Sequence, residues 1–98
     1  MVEGEVTVVN DAGLHLRPAG VLTKTAVQFK SDIFLYHGDR KIIAKSVLNV
    51  MAAGVQKGAR LRVTCEGPDE QEALHTVIEA ISTGLGEGVS YSDKDRLF

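Results

Sequence analysis

Between Val2 and Ile81 the apolar residues keep changing their spacing, from every second residue to every third or fourth and back, and few folds accommodate that order. Alternation marks a half-buried strand, and a three-four spacing marks one face of a helix. Val2, Gly4, Val6 and Val8 alternate with Glu3, Glu5 and Thr7, which predicts a strand over 2–9. Asn10-Asp11-Ala12-Gly13 is a turn cluster. Ala19, Leu22, Ala26 and Phe29 then share one face, predicting a helix from Leu16 to about Phe29. Pro18 falls in its first turn, where a missing N–H costs little. Ile33–Tyr36 and Lys41–Ala44 read as a hairpin around a tight His37-Gly38-Asp39 turn. Ser46 precedes a short helix, Val47 to Ala53, closed by Gly54. Leu61, Val63 and Cys65 alternate with Arg60, Arg62, Thr64 and Glu66 as a fourth strand. Asp69 opens the last helix, with Glu72 placed as in a capping box. Leu74, Val77, Ile78 and Ile81 are its stripe and Gly84 is its stop.

The order βαββαβα predicts an α+β fold: a two-layer sandwich in which a four-stranded, mostly antiparallel sheet is covered on one face by three helices. The other face is left to water, which suits Glu5, Thr7, Arg62 and Thr64. Ninety-eight residues leave room for one domain, expected over 1–88, and the polar, glycine-led segment 89–98 reads as a tail. With 44% hydrophobic and 24% charged residues, the chain can build a core without metal or disulfide. The lone Cys65 alternates with core positions, excludes an internal disulfide, and fits a reducing compartment. A net charge of −2 argues against a nucleic-acid binder. The start of the sequence lacks the basic and apolar regions of a secretory signal, and no apolar run approaches the ~18 residues of a membrane span. The expectation is a cytoplasmic monomer without cofactor or metal.

Two segments carry chemistry. In Gly13-Leu14-His15-Leu16-Arg17-Pro18-Ala19 an imidazole stands where loop becomes helix, with a guanidinium two residues on. A helix start offers unpaired N–H groups and partial positive charge, and a guanidinium offers up to five donors to phosphate oxygens. A neutral imidazole can attack phosphorus, and the resulting phosphoramidate stays labile because a protonated ring leaves well. His15 could therefore both accept and donate a phosphoryl group, although a lone histidine in such a place is more often only a loop residue or a weak cap. Which ring nitrogen reacts is not written in the spacing.

The second segment is Lys45-Ser46-Val47-Leu48. Ser46 reads as an N-cap, and a phosphate added there would bring about −1.5 to −2 charges beside a dipole that tolerates anions. The helix that follows is apolar on more than one face, which admits two readings. Some of Val47, Leu48 and Met51 form an exposed docking patch, or the helix is buried nearly all round. His37 and His75 read as solvated residues rather than metal ligands, because no paired carboxylates accompany them. Arg40, Lys41, Lys45, Arg60 and Arg62 read as a solvated basic scatter, and Gly84, Gly86 and Gly88 lack the strand-to-helix context of a phosphate loop.

On these two segments, together with the Gly38 hairpin, Lys57-Gly58-Ala59 and Gly67-Pro68-Asp69-Glu70, the chain resembles the HPr family. These are the histidine-containing phosphocarriers of the bacterial phosphoenolpyruvate-dependent sugar phosphotransferase system. The likeness runs from about Val2 to Gly86 and implies the open-faced β-sandwich fold. It implies that His15 is phosphorylated on Nδ1 by phosphorylated Enzyme I and passes the group to IIA domains of sugar permeases, with Arg17 neutralising phosphoryl oxygens. It implies that Ser46 matches the serine modified by an HPr kinase/phosphorylase in some bacteria. It places Leu16, Gly20, Val47, Leu48 and Met51 at the docking surface. Leu16 is bulkier than usual there, Gly20 is a poor helix former, and Ala12 lacks a common polar side chain. The runner-up is a regulatory binding module controlled through Ser46, with a transcriptional regulator among its partners. A small-molecule sensor is disfavoured because so small a sandwich has little room for a pocket.

Overall fold

The computed structural model describes residues 1–87, so the tail expected over 89–98 lies outside the described residues. The elements are β1 (Val2–Thr7), α1 (Leu16–Ala26), β2 (Asp32–His37), β3 (Arg40–Ile43), α2 (Val47–Ala52), β4 (Arg60–Glu66) and α3 (Glu70–Ser82). The strands form one sheet in the order β1-β4-β2-β3, and every pairing is antiparallel. β4 lies between β1 and β2, so its inward residues Leu61, Val63 and Cys65 face the helices and are fully buried. Leu22, Ala26, Val77 and Ile81 meet them from α1 and α3. Burial pushes the Cys65 thiol up to about 11. Gly4 in β1 leaves space for α3, since a Cβ there would stand 2.7 Å from Ile78 Cδ1.

Several boundaries differ from the sequence expectation, each for a local reason. β1 stops at Thr7 because Val8 leaves the ladder and bonds the turn before β4, through its N–H to Ala59 O and its carbonyl from Gly58 N. α1 stops at Ala26 rather than Phe29, because Gln28 and Phe29 tighten into bonds with the third residue back. Lys45, expected to be solvated, is half-buried and donates to the Phe29 carbonyl at 2.8 Å, closing that end. His37 is the last residue of β2, paired with Arg40, and the turn is the two residues Gly38-Asp39, with Gly38 at φ 63°. A glycine with positive φ at the first central position suits a two-residue hairpin.

The expected capping box at α3 is replaced. Asp69 is the N-cap, but its carboxylate turns away and accepts from the backbone N–H of Lys30 at 2.9 Å, that of Ser31 at 3.0 Å, and Ser31 Oγ at 2.5 Å. Glu70, not Glu72, reaches back to the Gly67 N–H at 3.0 Å. The α3 stop at Gly84 is a Schellman closure: Leu85 N–H bonds Ala80 O and Gly84 N–H bonds Ile81 O, with Leu85 buried. The outer sheet face is roofed by its own side chains. Arg62 lies 4.3 Å over the Tyr36 ring and Lys41 lies 4.2 Å over the Phe34 ring. Thr64, expected in water, is buried among them, its register partners being Glu3 and Phe34.

The Asp69 clamp carries a pH dependence with a definite sign. Hydrogen bonds from Ser31 and Lys30 hold its carboxyl below the ordinary 3.8. Its stabilisation is therefore complete above that value and is lost as pH falls through the lower folded value. Asp69→Asn should flatten the acid side of the stability–pH curve below about pH 4. Urea titrations of both proteins across that range check this.

Candidate functional site

The site begins with a buried plug. Leu14 is 2% exposed and its N–H bonds the Val55 carbonyl at 2.9 Å, tying the start of α1 to the chain leaving α2. Gly13, at φ 72°, makes this approach possible, because a Cβ there would run into the Val55 carbonyl and the Gln56 backbone. His15 is the N-cap of α1, in extended conformation, and its carbonyl accepts the first helical bond from Ala19 N at 2.9 Å. The backbone N–H groups of Leu16 and Arg17 precede that bond and Pro18 has none. The first turn carries no acidic residue to compete for them. Leu14 and Ala19, both buried, occupy the positions of a hydrophobic staple and fix how the chain enters the helix.

The His15 side chain is 43% exposed, and its Nε2 lies 3.1 Å from Glu87 Oε2. The other oxygen of Glu87 accepts from Asn10 Nδ2 at 2.6 Å, and the same Nδ2 donates to Gly84 O at 2.8 Å. Asn10 is 5% exposed, and its Oδ1 is buried without a hydrogen-bond partner among the described residues. Neither Asn10 nor Glu87 was singled out from sequence. Asn10 looked like one more turn residue, and nothing in the spacing shows that the Gly84-Leu85 reversal carries Glu87 back to a histidine 72 positions earlier.

Arg17 is exposed and makes no hydrogen bond or ion pair with the described residues. Asp11, Ala12, Met51, Gln56 and Lys57 line an open hollow beside His15. At its rim Lys57 Nζ pairs with Asp11 Oδ1 at 2.9 Å, which holds the Asp11 carboxyl below its usual range. Ser46 caps α2, its Oγ accepting the Asn49 N–H at 3.2 Å. Of the two readings of α2, the structure takes neither in full. Leu48 is 76% exposed and Met51 37%, whereas Val47 is half-buried against the core. Leu16 is 63% exposed, and nothing stands within 4 Å of a Cβ built on Gly20. His37 is exposed at the hairpin, and His75 is exposed on α3 with Glu79 3.8 Å away. Among the described residues no three of His, Cys, Asp and Glu gather as metal ligands would. Nor is any described helix long and apolar enough to cross a membrane.

The fold and site together define a class, that of small α+β sandwiches with an exposed imidazole at a helix mouth where an anion can be held. Comparison with known proteins makes the class specific. The family model described as "PTS HPr component phosphorylation site" matches residues 2–83. The multiphosphoryl transfer protein of Escherichia coli O157:H7 is 42% identical over 91 residues, covering 90% of this chain and 24% of that protein. Among solved structures, HPr-C-His from Thermoanaerobacter tengcongensis superposes with a TM-score of 0.84 at 36% identity, covering 89% of this chain and 98% of that one. The Bacillus subtilis catabolite repression protein Crh superposes with a TM-score of 0.69 at 34% identity, covering 86% and 97%. The chain belongs to the HPr family, the phosphocarriers of the phosphotransferase system. It spans about a quarter of the length of the curated relative.

Gly13 sets how closely the imidazole-bearing turn can dock. Gly13→Ala forces a left-handed alanine against the Val55 carbonyl and should cost about 3 kcal/mol of stability. Chemical denaturation of the two proteins side by side measures it.

Proposed function

We propose that this chain relays a phosphoryl group through His15, taking it from phosphorylated Enzyme I and giving it to IIA domains of sugar permeases in the cytoplasm, without cofactor or metal. The observation that carries the reading is an exposed His15 at the N-cap of α1, with an uncommitted Arg17 and two open backbone N–H groups beside it. The Nδ1 lone pair attacks phosphorus in line as the donor's P–N bond breaks, and the donor ring keeps that electron pair. The Leu16 and Arg17 N–H groups and the Arg17 guanidinium take the equatorial oxygens, so the group arrives in a site already polarised for it. The protein supplies position and charge neutralisation, and it is a stoichiometric carrier rather than an enzyme turning over a small molecule.

Leu16, Gly20, Leu48 and Met51, with Val47 packed behind them, form the docking surface in this reading. Leu48 and Met51 offer apolar area that a core does not need. Gly20 keeps the α1 face low, since a partner meets no side chain there. A second reading, a module controlled at Ser46, draws on the likeness to the catabolite repression protein Crh and on a half-buried serine capping α2 beside exposed Leu48. Phosphorylation of Ser46 by an HPr kinase/phosphorylase would set about −1.5 to −2 charges next to exposed Leu48, opposing an apolar or acidic partner and favouring a cationic one such as a transcriptional regulator. The retained His15 favours the carrier. The monomer is the working form, because a relay must present one face to two partners in turn.

His15→Ala should abolish acid-labile labelling by Enzyme I and phosphoenolpyruvate while its circular dichroism and unfolding curve stay those of the parent. Acid-labile label persisting in that variant defeats the assignment. Arg17→Ala should slow labelling by about tenfold to a hundredfold, the loss expected for one charge-assisted contact of about 1.5–3 kcal/mol. An unchanged rate removes Arg17 from the mechanism.

A further inference from the structure

We propose that Glu87 is the positioning residue for His15: its carboxylate, held by Asn10, keeps the ring proton on Nε2 and turns Nδ1 toward phosphorus. The inference rests on the carrier reading above for its function, but its geometry stands apart from that reading. Glu87 Oε2 lies 3.1 Å from His15 Nε2, and Glu87 Oε1 accepts from Asn10 Nδ2 at 2.6 Å. A carboxylate only accepts, so a neutral imidazole facing it must carry its hydrogen on Nε2. The unprotonated nitrogen, with its lone pair, is then Nδ1.

Asn10 makes the arrangement more than a surface contact. Its Nδ2 faces two acceptors, Gly84 O at 2.8 Å and Glu87 Oε1, which fixes the orientation of the amide. Asn10 is nearly buried, so this anchor does not drift with solvent. The Schellman closure at Gly84 and Leu85 sets the path by which Glu87 arrives. Two donors, Asn10 Nδ2 and His15 Nε2, converge on the two oxygens of one carboxylate. Glutamine offers only one acceptor oxygen and would leave one of them unmatched.

The balance of the transfer step shows what the contact contributes. As Nδ1 forms its bond to phosphorus and the donor phosphoramidate's P–N bond breaks, no proton leaves His15. The ring keeps its Nε2 hydrogen and becomes a phosphoimidazolium cation, with Glu87 beside the hydrogen that now shares the charge. In the onward step the Nδ1–P bond breaks, the ring takes back that electron pair, and it returns to the same Nε2–H form. One carboxylate therefore serves both directions without a proton having to be found or discarded.

The test uses the full chain, labelled with nitrogen-15, and reads the three imidazoles by long-range proton–nitrogen correlation. In the parent protein at neutral pH, His15 should show a bound Nε2 hydrogen that exchanges more slowly than those of exposed His37 and His75. In Glu87→Ala the His15 ring should exchange like those two, with labelling by Enzyme I and phosphoenolpyruvate slowed about tenfold at unchanged KM for Enzyme I. Glu87→Gln should fall between, and Glu87→Asp should recover part of the slow exchange. Asn10→Ala, where it folds, should resemble Glu87→Ala. The inference is overturned if the parent ring carries its neutral-state hydrogen on Nδ1, or if Glu87→Ala leaves both ring exchange and labelling rate as in the parent. A parent protein that takes no label but shows the protected Nε2 hydrogen would instead refute the carrier reading and leave the ring assignment standing.

Discussion

The contact on which the site depends is made of backbone. Gly13 lies against the Val55 carbonyl, and the Leu14 N–H bonds that same carbonyl. This fixes the last residues before α1 to the chain that leaves α2, and it sinks the Leu14 side chain into the core. His15 is the next residue, so its ring is set at the surface by the burial of its neighbour. A residue without a Cβ is needed for the approach, and a large apolar residue must follow to hold it. The chemistry of the imidazole rests on this junction more than on the sheet beneath it.

The charges around the site are not equally available. Lys45 is committed to the end of α1 through Phe29, and Arg60 and Arg62 are paired with Glu5 and Glu3 across the sheet. Lys57 is paired with Asp11, but both side chains are exposed, and such solvated pairs are weak. An incoming partner can separate them cheaply. Arg17 has no pairing to give up among the described residues. In the proposed relay, selectivity for a phosphoryl group on His15 would come from which cation is uncommitted, not from an excess of positive charge in a chain of net charge −2.

Much of this was legible from residue order, and the failures are instructive. Alternation located β1 and β4 because one face of each is buried, the turn around Gly38 located β2 and β3, and the three-four spacing located α1 and α3. The placement of His15, Arg17 and Ser46 was visible because they stand at helix starts, which local sequence announces through proline, serine and glycine. What escaped was set by distant parts of the chain. Asp69 abandons its own helix because Lys30 and Ser31 present N–H groups from the other side of the fold. Thr64 is dry because Phe34 and Glu3 flank it from neighbouring strands, and Lys45 is spent on a carbonyl 16 residues earlier. Asn10 and Glu87 belong to the same group, since their meeting depends on the direction in which the chain leaves α3.

The roof over the outer sheet face has a consequence for crowding. β3 is one of the two edge strands, only four residues long, and it begins with Arg40 and Lys41. Another copy approaching to extend the ladder from this strand would gain few hydrogen bonds along so short an edge and would have to dock beside two cations. Approaching face to face, it would have to strip Lys41 and Arg62 from the rings they cover. The short β3 edge and the cation-covered outer face thus both disfavour pairing with another copy.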